Sequence, residues 1–137
     1  MSTPLRVCLV SAAYPPYPSG VSEHVYHLAV ELARLGHEVE VLTSRFPGMP
    51  EMPDPCPVTR LGRVLLIPAN GSFSTLPVGS RLSADVRRFL QDRHFDIVHC
   101  HGFAWPETAY WAIRHASVPV IVTFHTYRDS PGFALAL

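Results

Sequence analysis

Residues Leu5 to Gly36 read LRVCLVSAAYPPYPSGVSEHVYHLAVELARLG, and this stretch decides the fold. Val7 to Val10 is a continuous apolar run, the pattern of a strand covered on both faces. Tyr14-Pro15-Pro16-Tyr17-Pro18 can neither continue a strand nor open a long helix. Beyond it, Val21, Val25, Leu28, Leu32 and Leu35 recur at helical spacing, with Gly36 as a natural C-cap. Glu38 to Ser44 alternates and forms a second strand. Strand, helix and strand joined by a short connection make a right-handed βαβ unit and a parallel sheet. Gly20, at the junction of loop and helix, lets a ligand approach where a side chain would block it. The free N–H groups of the first helical turn favour an anion at the same spot. This stretch alone predicts a phosphate or a negatively polarised sugar as ligand.

Working outward, Phe46 to Thr59 holds five prolines and reads as an irregular loop. A third strand is predicted over Arg63 to Ile67, ended by Pro68. Asn70-Gly71 is a turn signal; it also forms an N-x-S sequon with Ser72, which counts for little without a secretory signal. Ser80 or Ser83 can cap a helix running to Arg93, with Leu82, Val86, Phe89 and Leu90 inward. Phe95 to Cys100 is a fourth strand, Pro106 to Ala116 a helix, and Val118 to Phe124 a fifth, strongly β-branched strand. The apolar run at Phe133 to Leu137 has no cap and reads as the start of a truncated element. The alternation predicts a single α/β domain of three αβα layers. Its doubly wound, Rossmann-like parallel sheet is ordered 3-2-1-4-5. Ligands bind beyond the carboxyl ends of such strands, where the loops Ala12–Gly20, His101–Trp105 and His125–Asp129 meet.

The 137 residues fit one domain, with 47% hydrophobic and 16% charged residues. Eleven basic residues balance 11 acidic ones, a poor footprint for nucleic acid. All the basic residues are arginine, so a cationic contact to phosphate is an Arg fork or a His. Cys8, Cys56 and Cys100 are odd in number and without a C-x-x-C pair, which fits a reducing compartment. No apolar run approaches the ~20 residues of a membrane span. The first apolar run contains Arg6 and leads into prolines, unlike a signal peptide. A cytoplasmic location is expected.

Neither G-x-G-x-x-G nor the P-loop pattern is present, and no acidic residue ends the second strand. His99 and His101 share one side of a strand, so an H-x-H metal pair with His125 as third ligand is conceivable. A hydrogen-bonded His99 and a site-lining His101 are the preferred reading, and no metal is expected. His24 and His27, with Glu23 and Glu31, read as a solvated edge. His125 directly follows the most buried strand, where a polar residue suits a site better than a core. A neutral imidazole there could orient a hydroxyl or a phosphate.

Four blocks carry a resemblance: the opening strand, PSGVSEHVYHLAVELARLGHEVEVLT, FDIVHCHG and VIVTFHT, in this order and spacing. Together they resemble the N-terminal half of retaining GT-B glycosyltransferases of the glycogen-synthase-like group. LIPANGSFSTLPVG is similar to bacterial phosphatidyl-inositol mannosyltransferases in particular. The resemblance implies a nucleotide-diphosphate sugar as donor, and a lipid, an inositol-like polyol or a saccharide as acceptor. Gly20, with Ser19 in place of the more usual first glycine, would approach the pyrophosphate. His125 would be the catalytic residue beside the transferred sugar. His101, Thr126 and the loop around Tyr14 would line the acceptor pocket, with Arg128 the nearest cation after the histidine. The resemblance further implies a second, donor-binding C-terminal domain that these 137 residues do not include, so the fragment alone would be inactive. Peripheral membrane contact stays open, since Arg81, Arg87 and Arg88 are the nearest approach to a polybasic helix. The alternatives are a non-catalytic Rossmann-like binding module and a metal hydrolase built on His99, His101 and His125.

Overall fold

The computed structural model describes residues 3–50, 53–69, 72–103, 105 and 107–125. In chain order the elements are β1 (Arg6–Ser11), α1 (Gly20–Arg34), β2 (Glu38–Arg45), β3 (Val58–Ala69), β4 (Ser72–Val78), α2 (Leu82–Asp92), β5 (Ile97–His101), α3 (Thr108–His115) and β6 (Val120–Thr123). β1 lies between β2 and β5, parallel to both, and its alternating side chains divide the core in two. Cys8 and Val10 pack with Leu82, Val86 and Phe89 of α2 and with Ala109 and Ala112 of α3. Val7 and Leu9 pack on the other face with Val25 and Ala29 of α1. A strand sandwiched in this way has no solvated face, which accounts for its unbroken apolar run.

The sheet order is β4-β3-β2-β1-β5-β6. Its five parallel strands follow the predicted order 3-2-1-4-5, but the sheet is mixed rather than wholly parallel. β4, an element not expected from the sequence, runs antiparallel to β3 from Arg63↔Val78 to Ala69↔Ser72. β3 is also far longer than predicted, beginning at Val58 and passing through Pro68. Its pairing with β2 ends at Arg63, so Pro68 lies in the half of β3 that has one neighbour. There, as in the edge strand that holds Pro77, a missing N–H is tolerated. The Asn70-Gly71 turn and the 131–137 segment lie outside the described residues.

α1 begins as the sequence predicts. Ser19 is its N-cap, accepting from the Ser22 N–H at 3.1 Å, and Gly36 follows its last turn at φ 95°. α2 differs: Arg81 is its N-cap, without a side-chain cap bond. Ser83 instead shares a 2.9 Å hydrogen bond with His115 Nε2, tying α2 to α3. β5 starts two residues later than predicted, because the Asp96 carboxylate accepts from the Arg6 N–H at 2.7 Å and closes the strand's entry. Cys8, Cys56 and Cys100 are free thiols, and burial pushes Cys100 up to about 12, away from any nucleophilic role. Among the described residues, no helix is long and apolar enough to cross a membrane.

One irregularity matters later. Thr43 pairs with Arg60, yet Arg45 pairs with Arg63, so two steps along β2 correspond to three along β3. The extra residue is a bulge at Leu61-Gly62, and Gly62 adopts φ 70°. A Cβ on Gly62 would meet the Val78 carbonyl oxygen at 3.0 Å, and backbone there cannot step aside as a side chain could. Gly62→Ala is expected to cost about 1–2 kcal/mol from the left-handed backbone alone. Urea denaturation measures it, and an unchanged midpoint would show that the bulge relaxes freely.

Candidate functional site

The carboxyl ends of β1, β5 and β6 meet at one end of the sheet, beside the start of α1. His99 and His101, two apart on β5, project to the same face as Leu9, the face that α1 covers. Their rings stack at 4.4 Å. His99 Nε2 shares a 2.7 Å hydrogen bond with Thr123 Oγ1 of β6. His101 is 5% exposed, and its Nδ1 lies 2.9 Å from Nε2 of His125, which follows β6. His24 reaches the same spot from α1, with its ring centroid 5.5 Å from that of His101 and 5.1 Å from that of His125. The sequence places His24 and His27 on a solvated or loop-facing edge, and both are exposed: His27 lies 3.4 Å from Glu23, while the ring of His24 also borders His101 and His125.

Burial, with neighbouring imidazoles second, favours the neutral form of His99, His101 and His125. His101 is pushed down to about 3, first by burial and then by the neighbouring imidazoles of His99, His125 and His24. His99 and His125 are lowered for the same reasons, burial leading in each. With both rings neutral, one nitrogen of the 2.9 Å contact donates and the other accepts. If His101 Nδ1 carries the proton, His125 Nδ1 is also a donor; if His125 Nε2 carries it, His125 Nδ1 becomes an acceptor. The buried His101 therefore decides what its exposed partner offers a ligand. His101 Nε2 is itself buried and has no hydrogen-bond partner among the described residues.

Gly20 is the first residue of α1, one turn before His24 and on the same helix face. A Cβ built on Gly20 would meet no atom of the described residues within 4 Å. The fold therefore does not demand glycine here, and the space beside it is open. Ser19 uses its hydroxyl locally, accepting from the Ser22 N–H and donating to Ser22 Oγ at 3.0 Å. This capping leaves the N–H groups of Gly20 and Val21 without intrahelical acceptors. Gly102, next to His101, has φ 110°, and its N–H donates to the Thr123 carbonyl at 3.1 Å, fastening β5 to β6 where the histidines emerge.

Tyr14 is placed differently from the pocket-lining role that the resemblance implied for its loop. Its side chain is fully buried in the α1-side core, 6.5 Å from Tyr26, with the Arg60 guanidinium 5.7 Å from its ring centre. The Tyr14 ring therefore supports the loop from beneath. Thr126 and Arg128 lie outside the described residues.

His24, His101 and His125 each bring a nitrogen within 4.8 Å of the others, a spacing that could hold a metal ion. The trio differs from the His99, His101 and His125 set considered from sequence. The 2.9 Å approach of His101 to His125 is a hydrogen-bond distance. Two nitrogens on one tetrahedral zinc, each about 2.0–2.1 Å from the metal, sit roughly 3.3 Å apart. As placed, these rings bond to each other.

A histidine kept neutral by the fold sets the sign of a pH effect. The unfolded chain takes up a proton near pH 6.5, which folded His101 refuses until about pH 3. Its contribution to stability is complete above the unfolded value and is lost as pH falls through that window, by at most about 1.4 kcal/mol per pH unit. Denaturant unfolding between about pH 7 and pH 5 is expected to show this fall, and His101→Gln to flatten it. A wild-type stability that rises toward pH 5 would contradict the neutral cluster.

Comparison with known proteins shows the family. Residues 18–136 match the family model described as Glycosyltransferase Family 4. The phosphatidyl-myo-inositol mannosyltransferase of Mycobacterium leprae (strain TN) is 38% identical over 122 residues, covering 89% of this chain and 32% of that protein. A glycogen synthase of Mycobacterium tuberculosis (strain H37Rv) is 31% identical over 139 residues, covering 88% of this chain and 33% of that protein. The chain thus spans about a third of the length of the curated relatives it matches. A glycosyltransferase structure from Rickettsia africae superimposes with a TM-score of 0.57 over 98% of this chain and 34% of that one, at 15% identity, which speaks to the fold alone. With the family model covering α1 and all three histidine-bearing segments, the chain belongs to Glycosyltransferase Family 4.

Proposed function

We propose that this chain is the acceptor-side domain of a retaining GT-B glycosyltransferase, and that it works with a second domain holding most of a nucleotide-sugar donor. The observation that carries this reading is the open space beside Gly20, at a helix start one turn from the neutral histidine cluster. A diphosphate can approach the Gly20 and Val21 N–H groups there, where the helix end favours negative charge. That contact strengthens as the leaving diphosphate gains charge, which is where stabilisation lowers a barrier.

His125 is the residue assigned beside the transferred sugar. Its Nε2 faces His101, so its Nδ1 is the ring nitrogen left to meet a hydroxyl of the donor sugar or the acceptor. A neutral ring suits this task, because it orients a hydroxyl without attracting the diphosphate away from the helix start. His101 acts through His125 as a positioning residue. Ser19 supports the diphosphate site by capping α1, which keeps the first-turn N–H groups in place. The loop around the buried Tyr14, with His101, Thr126 and Arg128, is assigned to acceptor binding, an assignment taken from the family resemblance. This chemistry requires no resident metal. The acceptor class, a lipid headgroup, a polyol or a saccharide, follows from the relatives' names. A lipid acceptor would bring the protein to a membrane surface from the cytoplasm.

The test uses this domain joined to its donor-binding domain. His125→Ala is expected to lower kcat about 10²-fold or more while leaving the fold intact by circular dichroism. Gly20→Ala is expected to keep or raise stability by up to about 1 kcal/mol, since alanine is the better helix former. It should nonetheless cut transfer, because the methyl group fills the space that the diphosphate needs. Wild-type turnover in either variant would remove the corresponding assignment. Retained activity in excess chelator is the expected result, and its loss would reopen the metal question at His24, His101 and His125.

A further inference from the structure

On the other side of the β1–α1 loop from the histidines lies a cavity of about 430 Å³, whose lining includes Pro16, Arg45, Phe46, Arg60 and Arg63. In a regular strand Arg60 and Arg63, three apart, would point to opposite faces. The Gly62 bulge adds one residue to β3 and brings both into the same cavity. It also sets Arg63 directly across from Arg45. Adjacent strands lie about 4.8 Å apart, and like charges placed opposite one another destabilise a sheet.

Arg60 is engaged. It donates to the Pro15 carbonyl at 2.9 Å and to the Ser44 carbonyl at 3.4 Å, and it lies 3.7 Å from Asp54. Arg45 and Arg63 have neither an ion pair nor a side-chain hydrogen bond among the described residues. Among the described residues, two guanidinium forks thus face one cavity with one carboxylate, Asp54, nearby, and that carboxylate is beside Arg60. A phosphate oxygen pair matches this arrangement, since each fork can donate two parallel N–H bonds. Phe46, stacked on Tyr17 at 5.3 Å and 7°, adds an apolar wall.

We infer that Arg45 and Arg63 form an anion site for a phosphate ester, with the carbon body of the ligand against Phe46. The ester could belong to a soluble sugar or polyol phosphate or to a phospholipid headgroup. Binding at these arginines is independent of any transfer chemistry at the histidines, although both places share the loop of residues 12–20.

The probes are glycerol 3-phosphate, titrated calorimetrically into this chain at constant ionic strength, and phosphatidylglycerol vesicles, used in co-sedimentation against phosphatidylcholine controls. Saturable binding is expected in at least one arm, weakened about tenfold or more in the Arg45→Gln/Arg63→Gln double variant and unchanged in His125→Ala. Arg-dependent binding in the first arm identifies a soluble ester, and in the second a lipid headgroup. The double variant should also melt no lower than wild type in phosphate-free buffer, because the opposed charges are gone. Binding that survives the double substitution, binding lost in His125→Ala instead, or no Arg-dependent binding in either arm overturns the assignment.

Discussion

Everything in this domain hangs from a strand with no solvated face. β1 has Cys8 and Val10 on one side and Val7 and Leu9 on the other, all 5% exposed or less. Such a strand can only exist between two helical layers, so its burial requires α1 on one face and the α2–α3 pair on the other. The same constraint leaves a polar site one place to form. The loop after β1 must rise at the carboxyl edge and turn back into α1, which sets the start of that helix beside the ends of β5 and β6.

At that edge the decisive property is shared desolvation. Three imidazoles crowd together, and the one that is 5% exposed, His101, is pushed down first by burial and then by its imidazole neighbours. Among the described residues, the charged neighbours that lower His99, His101 and His125 are other imidazoles and not a carboxylate. The cluster is a neutral, hydrogen-bonding surface beside a helix start that carries partial positive charge. The division of labour is physical: backbone N–H groups meet the charge, and imidazoles meet the hydroxyls. A glycine that the fold itself does not require keeps the approach open.

Much of this was legible in the chain. The apolar run of β1, the 3.6-residue period of α1 and the β-branched run of β6 are local patterns, and each became the element it predicts. His101 was also legible, because a polar residue at the end of the buried β5 conflicts with its surroundings. β6, read as the most buried strand, is instead half-exposed at the end of the described sheet. The premise for His125 is thus corrected, even though the structure sets it beside His101. Three features depend on distant partners and were not legible. β4 looks like a turn-rich segment until β3 pairs with it. His24 is a surface residue whose nearness to the β5 histidines emerges only when α1 is laid against β5, although its place one turn after Gly20 was a usable signal. Ring burial at Tyr14 follows from how the proline loop folds over α1, which no residue spacing reveals. Gly62 precedes the strand predicted at Arg63 to Ile67, and it marks a bulge only once β3 is seen to begin at Val58. Its consequence, two arginines brought face to face, required the register of β2 as well.

The account stands on the claim that the opening at Gly20 and the imidazole of His125 belong to one ligand site. Nuclear magnetic resonance of this chain, titrated with a nucleotide-diphosphate sugar, reads that claim directly through the backbone amides and the histidine ring nitrogens. Concerted shifts of the Gly20 and Val21 amides and the His125 ring, following one binding curve, are the predicted result. Shifts that separate into two curves, or that leave the Gly20 amide unmoved while the histidines respond, would contradict it.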